Sequence, residues 1–274
     1  MSTVLAEDRR SKLLELIRSQ GFASLGGLAG LLSVSESTVR RDLEALEATR
    51  AIQRTHGGVF YTGPSAKLTH FYIRQQANWS QKRRIAVAAS RLIEDGDTIL
   101  LDGGSTTYEL AQLLVGRPLQ VVTNSLPVAT LFTSSDRGDL VLVGGIVHTH
   151  TGVTLGPYAN EMLAKLNVRR AVLSVAGANE RGFYNSNPLL VEAEQAMMRA
   201  ADEVIIVADS TKFGHASLAH LCQLGDVDTL VADRELAIEW QQRMTDSGVR
   251  LVLAEDETKP DAQNTKTETS HQEY

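Results

Sequence analysis

Ser35, Ser37, Thr38, Arg40 and Arg41 bring three hydroxyls and two guanidinium groups into one short stretch of chain. Hydroxyls bond to either bases or phosphates, and arginine offers a planar fork matching guanine or phosphate, so this set has the chemistry to read a DNA groove. A second set, Asp102-Gly103-Gly104-Ser105-Thr106-Thr107, gathers a carboxylate, two glycines and three hydroxyls directly before a helical pattern. Glycines allow close backbone approach and a helix N-terminus favours anions, so the loop either cradles a phosphate or is an ordinary strand-to-helix turn with hydroxyl capping. Asn124 with Ser125, Gly144 with Gly145, and Asp209 with Lys212 follow other apolar runs in the same way. Lys212 offers a phosphate a mobile charge, and Asp102, Asn124 and Asp209 offer hydrogen bonds to sugar hydroxyls.

The first set needs a helix to present it. Val39, Leu43 and Leu46 fall at i, i+4 and i+7 behind a Ser35 cap, which buries one stripe and turns the polar residues elsewhere. The tight turn Ser33-Val34-Ser35 joins this helix to an earlier one that starts near Ser24, and Leu13, Leu14, Leu16 and Ile17 give Arg10 to Ser19 the spacing of a packing helix. Gly26, Gly27 and Gly30 each weaken the middle helix by about 1 kcal/mol against alanine, so it must lean on its neighbours. Ile52 to Phe60 alternates around Gly57-Gly58 as a small hairpin does. Three helices and a hairpin make residues 5–60 a winged helix-turn-helix, with Arg54, His56 and Gly57 on the wing. His56 either touches phosphate or caps the turn.

The second set needs a sheet. From residue 78 to 253 helical patterns alternate with β-branched runs, giving expected strands at 98–101, 120–123, 140–143, 171–175, 204–208, 229–232 and 250–253. Expected helices cover 85–93, 107–114, 159–166 and 190–201. The fold class is α/β, a mainly parallel sheet covered by helices, and ligands of such sheets gather at the carboxyl ends of the strands. Residues 61–77 form a basic linker that either couples the two domains or merely joins them, and 254–274 form an acidic tail expected to be disordered.

A chain of 274 residues with 43% hydrophobic and 22% charged content suits about two globular domains. Its formal charge of −6 argues against DNA until it is divided along the chain: residues 48–93 carry eight Lys/Arg and no acid, beside the wing. Local positive potential draws the phosphate backbone, while a distant acidic domain is partly screened. The single cysteine, Cys222, excludes an internal disulfide, and no apolar run approaches the ~18 residues of a membrane span, so a soluble cytoplasmic protein is expected. His148 and His150 lack companion ligands, so neither metal nor cofactor is expected.

Val34 to Glu47, with its Arg40-Arg41-Asp42-Leu43 core, followed by Arg54-Thr55-His56-Gly57-Gly58, resembles the N-terminal signature of the DeoR family of bacterial transcription regulators. Arg50 stands where that family usually has glycine. The second half is similar to the family's C-terminal domain in Leu101 to Thr107, Val122 to Ser125, Gly144-Gly145, Gly156-Pro157 and Ala208 to Phe213. The resemblance implies a fold like that of sugar-phosphate isomerases, double-stranded operator DNA and a phosphorylated sugar as partners, and a homo-oligomer. Arg169 and Ser174 to Gly177 depart from the family pattern, which implies a different ligand; Glu192 and Glu194 are either solvated or engaged in ligand or hinge contacts. The rival class is a sugar-phosphate isomerase or deaminase. Ribose-5-phosphate isomerases carry Asp-Gly-Ala-Asp-Glu where this chain has Ala176-Gly177-Ala178-Asn179-Glu180, without either aspartate, which favours binding without turnover.

Overall fold

The computed structural model describes residues 2–20, 22–48, 51–55, 58–61, 69–133 and 136–255. The first module runs α1 (Ser2–Gln20), β1 (Phe22–Ala23), α2 (Leu25–Leu32), α3 (Glu36–Ala48), β2 (Ile52–Thr55) and β3 (Gly58–Tyr61). Ser24 opens α2 by accepting a hydrogen bond from Gly27 N at 3.1 Å, an approach that a Cβ on Gly27 would meet at 2.9 Å from Ser24 Oγ. Ser33 ends α2 in the left-handed conformation, and Ser35 Oγ accepts from Thr38 N at 3.3 Å to start α3. Val39, Leu43 and Leu46 are buried against Leu13 and Ile17 of α1 and Leu28 of α2, as their spacing requires. The wing gains a strand that the sequence pattern did not reveal: β1 pairs with β3, giving the antiparallel order β1-β3-β2. Asp42, buried within α3, accepts from Arg9 Nε at 2.5 Å and Arg10 Nε at 3.3 Å and so ties α3 to α1.

The segment expected as a linker contains the end of β3 and a helix, α4 (Thr69–Gln76), which turns sharply into α5 (Trp79–Ser90). Asn78 makes that corner at φ 53°, a left-handed conformation asparagine tolerates. Its Nδ2 donates to Asp209 Oδ1 and Thr211 Oγ1, each at 3.2 Å. The buried Lys82 donates from Nζ to the carbonyl oxygens of Arg74 and Ala77, satisfying the end of α4.

The elements that follow are β4 (Thr98–Leu101), α6 (Ser105–Leu114), β5 (Gln120–Thr123), α7 (Leu126–Phe132), β6 (Asp139–Leu142), β7 (Ile146–His148), β8 (Val153–Leu155), α8 (Pro157–Leu163) and β9 (Val168–Ser174). After them come β10 (Gly177–Asn179), β11 (Gly182–Asn185), α9 (Pro188–Arg199), β12 (Ala201–Val207), β13 (Ala219–Cys222), β14 (Thr229–Ala232), α10 (Ile238–Asp246) and β15 (Arg250–Leu253). All seven expected strands form one parallel sheet in the order β15-β14-β12-β9-β4-β5-β6. Apolar layers cover both faces, one around Leu100, Leu173 and Ile206, the other around Ile99, Leu101 and Val207. The β7–β8 hairpin, the small antiparallel sheet β10-β11-β13 and the helices α7 and α10 were not anticipated.

Two measurements test this frame. Asp42→Ala should destabilise the first module in urea melts by about 1–2 kcal/mol, less than a fully buried pair because both arginines keep solvent contact; an unchanged midpoint would remove the α1–α3 tie. Burial pushes the Lys82 ammonium down to about 8, with Asp209 opposing. The folded protein therefore gives up this proton near pH 8, whereas the unfolded chain keeps it to about 10.4, so stability rises across that interval. Lys82→Met should lack that rise, and a thermal-melting series with parallel pH profiles for the two proteins would refute it.

Candidate functional site

On α3, Ser35, Ser37, Arg40 and Arg41 are exposed and Thr38 is half-buried, on the side opposite the apolar stripe. The hydroxyl of Ser35 lies 2.9 Å from those of Ser37 and Thr38, so part of its capacity is spent on the helix start. Arg54 has a task that the sequence did not disclose. Its Nε donates to Glu47 Oε2 at 2.7 Å, its Nη1 to Glu44 Oε1 at 3.0 Å, and its backbone N–H to Glu47 Oε1 at 3.0 Å. The two bonds to Glu47, the backbone one first, lower its pKa. Arg54 thus fastens the wing to α3, and any phosphate contact would compete with two carboxylates. His56, Gly57 and Arg50 lie outside the described residues.

At the carboxyl ends of β4, β5 and β9 the second module holds a small, partly open pocket. Asp102, Gly103 and Gly104 come from the loop after β4, Asn124 from the end of β5, Ser174 from β9, Asn185 from β11 and Glu194 from α9. Thr151 and Val153 come from the β7–β8 hairpin and Arg74 from α4. The glycines are needed for contact: a Cβ on Gly103 would lie 2.0 Å from Val153 Cγ1, and one on Gly104 1.7 Å from Ser174 Oγ. That closeness lets the buried Asp102 reach its partners. Oδ1 accepts from Gly104 N at 2.9 Å, and Oδ2 from Ser174 N at 2.7 Å and Ser174 Oγ at 3.0 Å. Burial raises the Asp102 pKa, and these bonds oppose the rise.

Glu194 is pushed well above the ordinary carboxylate range, first by burial and then by Asp102. Its Oε1 accepts from Asn185 Nδ2 at 2.7 Å, while Oε2 is buried without a hydrogen-bond partner. Asn124 donates from Nδ2 to the carbonyl of Thr154 at 2.9 Å. Because a carbonyl only accepts, the amide orientation is fixed, and Asn124 Oδ1 is left buried without a donor. Arg74 keeps solvent contact as a residue, yet desolvation lowers its pKa, with Asp102 and Glu194 opposing.

The structure therefore gathers Asp102, Gly103, Gly104 and Asn124 of the expected set into one pocket. Ser105, Thr106 and Thr107 form the buried first turn of α6 beside it, and Ser125 caps α7 by accepting from Val128 N at 3.3 Å. Gly144 and Gly145 do not line the pocket; a Cβ on Gly145 would stand 2.9 Å from the Leu155 carbonyl oxygen, so backbone packing explains that glycine. Asp209 and Lys212 are also elsewhere, in the short turn Ser210–Lys212 that braces the α4–α5 corner. The two acids of α9 separate: Glu192 is exposed and Glu194 enters the pocket. Arg169, expected to alter the ligand, sits at the opposite end of the sheet, with Nη1 2.8 Å from Asp97. Sequence reasoning missed Arg74 and Asn185, which no local motif marks. Among the described residues no group of three or more His, Cys, Asp and Glu is placed to hold a metal ion, and no helix is long and apolar enough to cross a membrane.

The chain matches the DeoR-like helix-turn-helix domain over residues 9–63 and the DeoR C terminal sensor domain over residues 77–234. It is 31% identical to the transcriptional repressor AccR of Agrobacterium fabrum over 251 residues, covering 90% of this chain and 92% of that protein. It is 30% identical to the L-fucose operon activator of Haemophilus influenzae over 246 residues, covering 89% and 99%. Among solved structures, ribose 5-phosphate isomerase A of Methanocaldococcus jannaschii aligns with a TM-score of 0.37 and 18% identity over 50% of this chain and 55% of that one, too slight a likeness to carry an argument. With a matching DNA-reading module, a matching sensor domain and relatives aligned over nearly their whole length, the chain belongs to the DeoR family of DNA-binding transcriptional regulators.

Proposed function

We propose that the protein represses a carbohydrate-metabolism operon, binding its operator as a dimer or higher oligomer and leaving it when a phosphorylated sugar fills the pocket. One observation carries the ligand half of this reading: Asn124 Oδ1 and Glu194 Oε2 are buried and unpartnered, and both residues line the pocket. An unsatisfied buried polar group costs about 1–3 kcal/mol, and a sugar offers hydroxyls to both. The name of the Haemophilus relative, an L-fucose operon activator, supports a carbohydrate operon, and that of AccR supports repression. A pair of DNA-reading modules matches palindromic half-sites. Release requires the ligand to prefer the conformation that holds the modules at the wrong spacing.

A second reading has one observation behind it. Asp102 and Glu194 share a pocket and both have raised pKa values, as acid–base catalysis on a sugar phosphate requires. Binding without turnover is the better account, because both oxygens of Asp102 and one of Glu194 are already committed to protein donors. The segment resembling the isomerase motif does not line the pocket; Asn179 Oδ1 accepts from Arg181 N at 2.9 Å and Glu180 pairs with Arg243 at 3.3 Å.

A salt-controlled gel shift on the protein's own upstream region, titrated with glucose, fructose and ribose monophosphates while product is monitored, tests the proposal. Loss of the shifted band with one of them and no product is the expected result; product formation would sink it. Arg41→Ala should weaken operator binding by about tenfold and reduce the salt slope by about one. Asn124→Ala should keep operator binding and lose release; a variant released as readily as the wild type would show that Asn124 does not meet the ligand.

A further inference from the structure

Among the described residues that line the pocket, Arg74 supplies the one positive charge, facing the carboxyl groups of Asp102 and Glu194. It comes neither from a strand end nor from a helix of the sheet but from α4, which lies between the modules: α4 packs beside β1 and β3 of the wing and against α6 of the sensor domain. We infer that Arg74 is the contact for the anionic group of the pocket's ligand and the point at which occupancy passes to the DNA-binding module. This rests on the reading of the pocket as the effector site.

Three observations support it. An anion entering the pocket finds the backbone donor expected to receive it, Gly104 N, occupied by Asp102 Oδ1. It needs another donor, and a guanidinium supplies one with two parallel hydrogen bonds to a phosphate or carboxylate. Next, the Arg74 backbone is anchored: its carbonyl accepts from Lys82 Nζ, and the corner beyond it is fixed by Asn78 on Asp209. A turn of the Arg74 side chain from Asp102 and Glu194 towards a ligand therefore loads α4 at a fixed end. Finally, two residues seat α4 on α6. Phe71 is fully buried and meets Tyr108 of α6 edge-on at 5.3 Å, and Gln75 Nε2 donates to Glu109 Oε1 at 3.3 Å. A shift in α4 has to be shared with the wing strands it abuts.

The test uses the full chain, its operator DNA, and three probe sets: glucose, fructose and ribose monophosphates; the matching neutral sugars; and glucuronate as a carboxylate. Affinities are read by calorimetry, release by gel shift, and amide exchange over residues 69–76 by mass spectrometry. For Arg74→Gln the expected result is about a tenfold or greater loss of affinity for whichever anionic probe the wild type binds. Binding of the neutral sugar should stay unchanged, operator affinity should be retained, and the ligand-induced change in exchange over α4 should disappear. Arg74→Lys should recover part of the affinity but little of the release, and it shows whether the glutamine variant has simply misfolded. Preference for the phosphate or the carboxylate probe identifies which anion Arg74 receives. If Arg74→Gln binds the anionic probe as well as the wild type does, or loses neutral and anionic probes equally, the inference is overturned while the effector reading stands. If a saturated Arg74→Gln leaves the operator as the wild type does, the relay through α4 is overturned. A wild type that binds no probe removes both readings together.

Discussion

The Asp102 carboxylate is the constraint around which the sensor domain is arranged. Burying it is costly, and Gly104 N, Ser174 N and Ser174 Oγ, which all reach it, help to offset the cost. That geometry requires β4 and β9 to be adjacent and parallel, so that the loop leaving one meets the last residue of the other. It also requires glycine at 104, where any side chain would collide with Ser174. Once these are in place, α6 begins at a fixed point, the β7–β8 hairpin closes over Gly103, and the remaining wall is left to Asn124, Asn185 and Glu194. Shape and polarity of the pocket both follow from accommodating one acid.

Much of this was legible in the sequence, for reasons that differ by element. The seven parallel strands are built on short apolar runs, and four of them begin and end where the pattern placed them; in the inner strands, such as β4 and β14, nearly every residue is buried and contributes to the signal. The short antiparallel strands carried none: Gly177–Asn179 is too brief to alternate, even though its partner strand follows after only two residues. The site divided in the same way. Residues next to strand ends, such as Asp102 and Asn124, could be found by rule, because open parallel sheets collect ligands there. The same rule pointed to Asp209 and Lys212, which lie outside that pocket at the turn bonded to the α4–α5 corner, since the carboxyl edge of a seven-stranded sheet is long enough to hold both a pocket and a brace. Arg74 escaped because its role is created by the corner at Asn78, a tertiary feature with no counterpart in local spacing.

Ion pairs also redistribute what a list of basic residues implies. Arg54, Arg9 and Arg10 all lie in the DNA-reading module, yet the structure commits each to an acid of α3. Their contribution is to hold α3 against α1 and the wing, while Arg40 and Arg41 remain exposed on α3 with their hydroxyl neighbours. Charge counts along a chain therefore overstate the footprint available to phosphate.

The pairing of β1 with β3 has a consequence for how such a regulator changes state. Because Phe22–Ala23 lies immediately before α2 and is hydrogen-bonded into the wing, the wing cannot swing without carrying the reading helices along. α4 contacts both β1 and β3, so on the proposed relay a push from it would be shared by the wing and by the strand that leads into α2. On the proposed dimer, base preference, which is set inside each module, would stay constant, and the distance between two modules along the duplex would vary. Control of this kind alters which half-site spacing is accepted and leaves the half-site sequence untouched.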